Sequence, residues 1–186
     1  MRITAIETVH LAEFPSILWV RLHTDEGLIG LGETFFAPES VAAHLHSVCA
    51  PLLLGEDALA IERHWRTLAR GTGGAGLRSI ELRAASAIDI ALWDLFGQST
   101  GLPIYRLLGG PVRERIRIYN TCAGYRYGRT RPRGAPATYT DGKVEGPYED
   151  LDAFLHRADE LALSLLEQGI TAMKIWPFDQ FGPSNG

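Results

Sequence analysis

The longest amphipathic pattern in the sequence is a helical stripe that runs from about Arg78 to Ser99. Apolar residues recur there at intervals of three and four, which places their side chains on one face of a helix. Gly101-Leu102-Pro103 follows and ends the pattern, because glycine and proline stop helices. With 186 residues, 46% of them apolar, the chain is long enough to bury a core. The stripe comprises Ile80, Ala84, Ala87, Ile88, Ala91, Leu92 and Leu95.

Three short strands are predicted before this helix. The first begins with an alternation at Ile3 and lies before Phe14-Pro15; the second covers Ile17–Leu22, and the third covers Leu28–Thr34. The sequence Asp25-Glu26-Gly27 separates the second strand from the third, and such a sequence between two apolar runs is typical of a hairpin. The pattern therefore predicts an antiparallel three-stranded meander.

Two further helices are predicted between the strands and the long helix. Val41, Leu45, Val48 and Leu52 are spaced for the first, and the second runs from about Ala58 to Arg70. We therefore expect residues 1–111 to form an α+β domain, in which the antiparallel meander packs with helices.

After Pro111 the pattern becomes that of an α/β domain. Ile116–Cys122 is predicted as a strand, Glu149–Gln168 as an amphipathic helix and Ala172–Trp176 as a second strand. A strand, a helix and a strand in this order form a βαβ unit, which requires a parallel sheet. A closed (β/α)₈ barrel takes about 250 residues. Residues 112–186 are therefore expected to be the first βαβ part of an incomplete TIM-type barrel.

The composition excludes several classes of function. Eighteen basic and twenty-two acidic residues give a net charge of −4, which provides no basic field for nucleic acid. No apolar stretch is long enough to span a bilayer or to act as a signal peptide, so no membrane partner is expected. Cys49 and Cys122 form neither a disulfide framework nor a CxxC pair. These features predict a cytoplasmic protein.

Several segments resemble one known family. The segment Ala85-Ser86-Ala87-Ile88-Asp89-Ile90-Ala91-Leu92-Trp93-Asp94-Leu95-Phe96-Gly97, with its continuation to Gly110, resembles the signature of the mandelate racemase / muconate lactonizing enzyme family. Gly27, Gly30 and Gly32-Glu33-Thr34 resemble the hairpin of its capping domain. Gly169–Ile175 resembles the run into its second barrel strand. The similarity covers nearly the whole chain.

The resemblance implies an enolase-superfamily enzyme in which a capping domain closes over a modified TIM barrel. Such enzymes abstract the proton next to a carboxylate and stabilise the resulting enediolate with Mg²⁺. A homo-oligomer and a small carboxylate substrate are also implied. In the family the metal ligands lie on barrel strands three to five, beyond Gly186, so no metal ligand is expected in this chain.

Lys174 is the candidate catalytic residue that the resemblance implies. It matches the first lysine of the family's Lys-x-Lys pair, which contacts the substrate carboxylate, whereas the second lysine acts as the base. Trp176 occupies that second position here and cannot accept a proton. This departure favours the subgroups that use a histidine from a later strand, many of which dehydrate sugar acids. A racemase, a cycloisomerase and a non-catalytic capping or association module are the alternatives, and the isolated chain is expected to be inactive.

Four residues are candidates for substrate binding. Phe14 and Glu33 lie near the ends of the first strands, where family capping loops shape the pocket. Arg126 belongs to an arginine-rich loop after the first barrel strand, on the catalytic face of such a barrel, and guanidinium groups suit carboxylates. Trp176 is the fourth candidate. A solvated loop is the alternative explanation of the arginine cluster.

Three other motifs are better explained as structural. The glycines of Gly71-Thr72-Gly73-Gly74-Ala75-Gly76 match a dinucleotide fingerprint, but a helix precedes them where the fingerprint needs a strand. Asp89 and Asp94 are expected to make structural hydrogen bonds or ion pairs on the long helix. His44 and His46 do not share a helix face, so they are expected to pack or to face solvent.

Overall fold

The computed structural model describes residues 1–70, 79–122 and 150–175. The chain divides into two compact units, Met1–Val112 and Arg113–Gly186.

The first unit contains a three-stranded antiparallel sheet. Its strands are β1 (Ile3–Val9), β2 (Ile17–Thr24) and β3 (Ile29–Phe35), and they are ordered β1-β2-β3. Trp19 lies opposite both Val9 and Glu33, which fixes the register across the sheet. The predicted meander is confirmed, with strand ends within a few residues of the predicted ones.

Helices cover one face of the sheet. Leu18, Val20, Leu22 and Thr24 alternate along β2 and are buried toward that layer. The predicted first helix is a short helix, one π-helical turn and a second short helix. The helical elements of the unit are α1 (Pro38–His44), the π-helical turn (Leu45–Cys49), α2 (Ala50–Leu53), α3 (Ile61–Arg70), α4 (Ser79–Thr100) and α5 (Ile104–Leu107).

Residues before α3 close the free edge of β1, and they explain why that helix begins later than predicted. The backbone bridge between Arg2 and Asp57 is antiparallel, and Gly55 and Ala58 donate to the carbonyls of Ile3 and Met1. A segment that pairs with a strand in this way cannot also be helical, so α3 begins at Ile61.

Helix α4 is the centre of the core, as its stripe predicts. The predicted apolar residues are buried, except that Ile80 is partly exposed. The helix approaches β3 so closely that a Cβ atom on Gly30 would collide with the carbonyl of Ala91, and one on Gly32 with the carbonyl of Ala87. Glycine in β3 and alanine in α4 therefore allow the two backbones to touch.

Side chains of α4 also occupy the outer edge of β3. The amide of Leu31 donates to Asp94 Oδ2 at 2.8 Å, and Gln98 Nε2 donates to the carbonyl of Ile29 at 2.8 Å and to Asp94 Oδ2 at 2.9 Å. At the other end of the strand, Arg83 donates to the carbonyl of Phe35. An exposed edge strand is a template for unwanted pairing, and these side chains take the place of a fourth strand. The structural role predicted for Asp94 is confirmed.

Replacing Asp94 by alanine is expected to lower the free energy of unfolding by about 1–2 kcal/mol, because the Leu31 amide loses its acceptor. Chemical denaturation followed by circular dichroism measures this loss. Asp94→Asn keeps one acceptor oxygen and is the matched control, for which we expect a smaller loss. Equal stability of the alanine variant and the parent chain would contradict the proposed edge contact.

The second unit is described at residues 113–122 and 150–175. A single parallel bridge joins Asn120 to Met173, and the helices are α6 (Asp150–His156) and α7 (Ala158–Glu167). A small core is formed by Cys122, Ala153, Phe154, Leu161 and Leu165. The parallel pairing and the helices agree with the start of a β/α barrel, so the predicted fold class is confirmed.

Two local predictions in this unit differ from the structure. The predicted strand Ile116–Cys122 forms only the bridge at Asn120, and Ile116 and Ile118 are exposed. Strands of a parallel sheet are normally covered on both faces, and this segment has no such cover among the residues described. The predicted single helix breaks at Arg157, whose φ of −147° and ψ of 48° lie outside the helical region. The Arg157 side chain pairs with Asp152 in α6 and with Glu160 in α7.

Across the parts of the chain that the structure describes, none of the helices has both the length and the apolar character needed to cross a bilayer.

Candidate functional site

Two connections lie side by side at one end of the sheet. They are the β1–β2 loop, residues 10–16, and the β3–α1 turn, which contains Phe36 and Ala37. The amide of Phe36 donates to the carbonyl of Ser16 at 2.7 Å, which joins the turn to the loop. We call these two connections the cap loops.

Phe14 is held in the first cap loop by its backbone and by its ring. Its amide donates to the carbonyl of Leu11, and its carbonyl accepts from the amide of Ile17. The ring lies edge-on to Trp19, with the centroids 6.0 Å apart and the planes at 89°. This geometry is a favourable aromatic contact, and it gives Phe14 a defined position beside the sheet.

Glu33 lies on the outer face of the sheet, opposite Trp19. Its side chain is exposed, and both Glu33 and Phe14 neighbour Trp19. The structure therefore places these two candidate substrate-binding residues on the same side of the sheet.

Phe36 is a further candidate that the sequence analysis missed. Phe36 and Ala37 have φ angles of 74° and 48°, a conformation that costs energy for residues other than glycine. The Phe36 side chain is 57% exposed, and its ring contacts Phe35 at a centroid distance of 4.4 Å. The Arg83 guanidinium lies over the same ring, 5.2 Å from its centroid. A strained backbone that displays an exposed aromatic ring is typical of a ligand-binding surface. The local sequence signal was the pair Phe35-Phe36, which is separated from α1 by Ala37 alone.

A trio of hydrogen-bonding side chains, Glu7, Arg21 and His23, occupies the same outer face of the sheet. Glu7 Oε2 lies 2.9 Å from His23 Nε2 and 2.9 Å from Arg21 Nη1. The hydrogen bond from His23 and the charge of Arg21 lower the pKa of Glu7 from its ordinary value of 4.5. The carboxylate is thus held in its charged form, so the trio is a pH-dependent contact between β1 and β2.

The trio predicts a specific acid sensitivity. Because the pKa of Glu7 is lower in the folded state, its contribution to stability is present above about pH 4.5 and is lost as the pH falls through the folded value. Glu7→Gln is therefore expected to be less stable than the parent chain near neutral pH, and the difference should shrink near pH 3. Thermal unfolding across this pH range measures the difference. A gap that stays constant with pH would contradict the assigned ion pair.

Lys174, the candidate catalytic residue, lies in the second unit. Its amide donates to the carbonyl of Asn120 at 2.8 Å, next to the parallel bridge, and its side chain is exposed. The backbone position of Lys174 is therefore set by the contact with the preceding barrel segment. Arg126 and Trp176 lie outside the described residues, as does the glycine-rich segment Gly71–Gly76.

The described residues do not supply a magnesium site. Within residues 1–70, 79–122 and 150–175, no three side chains of His, Cys, Asp or Glu converge on one point. Asp89 is half-buried between helices, and burial and the nearby Glu62 raise its pKa. His46 Nε2 lies 2.9 Å from Thr8 Oγ1, so this histidine makes a hydrogen bond to β1.

The first unit is a three-stranded meander that packs on helices and carries two loops at one end. A unit with parallel pairing follows it in the chain. This is the architecture of an enolase-type capping domain followed by the start of its barrel. The chain belongs to the mandelate racemase / muconate lactonizing enzyme family, because residues 2–109 match the N-terminal domain of that family. The resemblance seen in the sequence is confirmed.

Individual relatives extend the match into the second unit. The D-galactonate dehydratase of Xanthomonas euvesicatoria is 41% identical over 133 residues, which cover 69% of this chain and 33% of the relative. A mandelate racemase subgroup enolase from Agrobacterium tumefaciens is 44% identical with a TM-score of 0.75, and the match covers 100% of this chain and 41% of that one.

A third relative was solved with ligands. It is an enolase from Pantoea ananatis with bound D-gluconate and magnesium, 35% identical, with a TM-score of 0.60 over 64% of this chain and 30% of that one. The chain spans about a third of the length of the D-galactonate dehydratases that it matches.

Proposed function

We propose that this chain is the N-terminal portion of a magnesium-dependent acid-sugar dehydratase that acts on a hexonate such as D-galactonate. The observation that carries this proposal is the 41% identity to D-galactonate dehydratases over 133 residues, a stretch longer than the capping domain at residues 2–109. The departure at Trp176 supports dehydration, because a tryptophan there cannot serve as the strand-two base.

The proposed reaction removes the proton from the carbon next to the carboxylate and expels the hydroxyl group of the following carbon as water. The enol product then becomes a 2-oxo acid. Such a proton is too weakly acidic for a side-chain base unless the negative charge that develops on the carboxylate is stabilised. Magnesium supplies part of that stabilisation when it is bound. The described residues form no magnesium cluster, so their proposed contribution is to bind and orient the substrate.

Lys174 is proposed to bind the substrate carboxylate through its ammonium group. Its exposed side chain and its backbone, fixed beside Asn120, support this role. Arg126 and Trp176 are proposed as further substrate contacts, on the resemblance alone.

The cap loops are proposed to cover the polyol part of the substrate. The rings of Phe14 and Phe36 suit exclusion of water, because each is fixed by a neighbouring aromatic ring. The carboxylate of Glu33 is an acceptor for substrate hydroxyl groups. Homo-oligomeric assembly and a cytoplasmic location remain predictions of the sequence.

The second candidate is a non-catalytic capping or association module. Racemisation and cycloisomerisation are the other reactions open to this family, and both keep all atoms of the substrate. Release of water with formation of a 2-oxo acid therefore separates dehydration from these two reactions.

The intact mass of the protein from its native source, combined with an assay on the isolated species, tests the proposal. A species of about 365 residues, equal to a cap plus a barrel of about 250 residues, should convert a hexonate to a 2-oxo acid when magnesium is present. If the only species has a mass near 20.4 kDa and shows no turnover, the module is the correct assignment. A longer species that turns over no acid sugar would also overturn the proposed dehydration.

A further inference from the structure

Asn120 uses both of its backbone groups to fix the segment that carries Lys174. Its amide donates to the carbonyl of Ala172 at 3.1 Å, and its carbonyl accepts from the amide of Lys174 at 2.8 Å. These two hydrogen bonds form the parallel bridge opposite Met173. Any displacement of Asn120 is therefore transmitted directly to the backbone of Lys174.

The Asn120 side chain uses both of its polar atoms on residues that lie far from Lys174 in the sequence. Its Oδ1 accepts from the amide of Cys122 at 2.8 Å, and its Nδ2 donates to Asp150 Oδ2 at 2.8 Å. The hydrogen bond to the Cys122 amide closes a local turn, in which Cys122 has a φ of 53°. Cys122 and Asp150 flank residues 123–149, so one side chain joins the two flanks of that long connection.

Both flanks are anchored in the small core of the second unit. Cys122 is fully buried, and α6, which begins at Asp150, contributes the buried residues Ala153 and Phe154. A partner fixed in this way restricts the Asn120 amide more than a solvated partner would. An amide side chain is required here, because its oxygen accepts from the backbone N–H of Cys122 while its nitrogen donates to the Asp150 carboxylate.

We propose that Asn120 is a positioning residue that couples the start of α6 to Lys174 through its hydrogen bond to Asp150. The inference rests on the proposed role of Lys174 in the reaction. Asn120 itself contacts no reacting atom in this proposal. It holds the backbone from which the Lys174 ammonium reaches the substrate.

Amide hydrogen exchange of Lys174, measured by NMR on the full chain, tests the coupling. Asn120→Asp places a second carboxylate beside Asp150, so exchange at Lys174 should become at least ~10-fold faster. Asp150→Asn alone should change exchange little, because an asparagine still offers an acceptor to the Asn120 amide. The double variant N120D/D150N restores a donor facing an acceptor, and it should return exchange at Lys174 to within ~3-fold of the parent chain.

The amides of α7 serve as the internal control. Unchanged exchange at Lys174 in the Asn120→Asp variant would overturn the proposal. A loss of protection that spreads equally to α7 and is not rescued in N120D/D150N would also overturn it. Rescue restricted to Lys174 and its neighbours is the expected result. A failure of the catalytic role gives a different result: Lys174→Met then leaves turnover of the longer species unchanged while the exchange pattern of the Asn120 variants still appears.

Discussion

The Gly32→Ala variant is expected to lose at least ~3 kcal/mol of its free energy of unfolding, which is the upper end of the range for overpacked cores. A Cβ atom at this position would collide with the carbonyl of Ala87, lie 2.9 Å from its carbonyl carbon and lie 3.3 Å from the Ala91 Cβ atom. The first two atoms belong to the backbone of α4, so no rotamer change relieves the collision. Helix and strand must separate, which opens the centre of the core.

Urea denaturation followed by tryptophan fluorescence and by circular dichroism measures this effect. Gly27→Ala is the matched control, because nothing lies within 4 Å of a Cβ atom there and only its φ of 80° opposes the change. That conformation costs about 1–2 kcal/mol for an alanine. A loss in Gly32→Ala no greater than in the control would contradict the close packing of β3 on α4.

A second variant separates backbone collision from side-chain crowding. Ala87→Gly removes a methyl group from α4 but leaves the carbonyl in place. The double variant G32A/A87G is therefore expected to remain as unstable as Gly32→Ala, or to become less stable by about 1 kcal/mol because glycine weakens a helix. Recovery of stability in the double variant would show that the methyl group was the obstacle.

The sequence predicted the elements whose patterns are local. The apolar run of β2 and the stripe of α4 are both visible without a structure. Gly30 and Gly32 were noticed as family features, but their physical reason is the contact with Ala91 and Ala87. Recognising this contact requires the distance in space between β3 and α4, whose contacting residues are more than fifty positions apart in the sequence.

The late start of α3 has the same cause. The segment before α3 pairs with the start of β1, so backbone hydrogen bonds to Met1 and Ile3 take precedence over helical propensity. The break at Arg157 coincides with ion pairs that its side chain makes on both sides. The pairing with β1 links residues more than fifty positions apart, so a window of neighbouring residues does not show it.

Two of the candidate substrate-binding residues lie among the described residues of the first unit. Phe14 and Glu33 were chosen because they lie near strand ends, and the structure relates both to Trp19. Phe36 was missed because its exposure and its φ of 74° depend on how the chain turns from β3 into α1. Asn120 was missed because its hydrogen bonds reach residues 30 and 54 positions away.

The sharpest functional prediction concerns Lys174. In a species that dehydrates hexonates, Lys174→Met is expected to lower kcat/KM by about 10²–10³-fold, the usual effect of losing one charged group that stabilises a developing negative charge. Lys174→Arg keeps the charge on a longer and planar group, so an intermediate loss is expected. Steady-state kinetics with D-galactonate and magnesium, measured as release of the 2-oxo acid, provide the values.

The division of the loss between kcat and KM shows when Lys174 acts. A higher KM with unchanged kcat means that the ammonium group binds the carboxylate equally well before and during proton abstraction. A lower kcat means that the contact strengthens as negative charge develops on the carboxylate, which the proposed chemistry requires. Lys143, the other lysine of the chain, provides the matched control, because Lys143→Met removes the same charge. Equal kinetics for the parent, Lys174→Met and Lys143→Met would exclude Lys174 from the reaction and leave the base and the carboxylate contact to residues elsewhere.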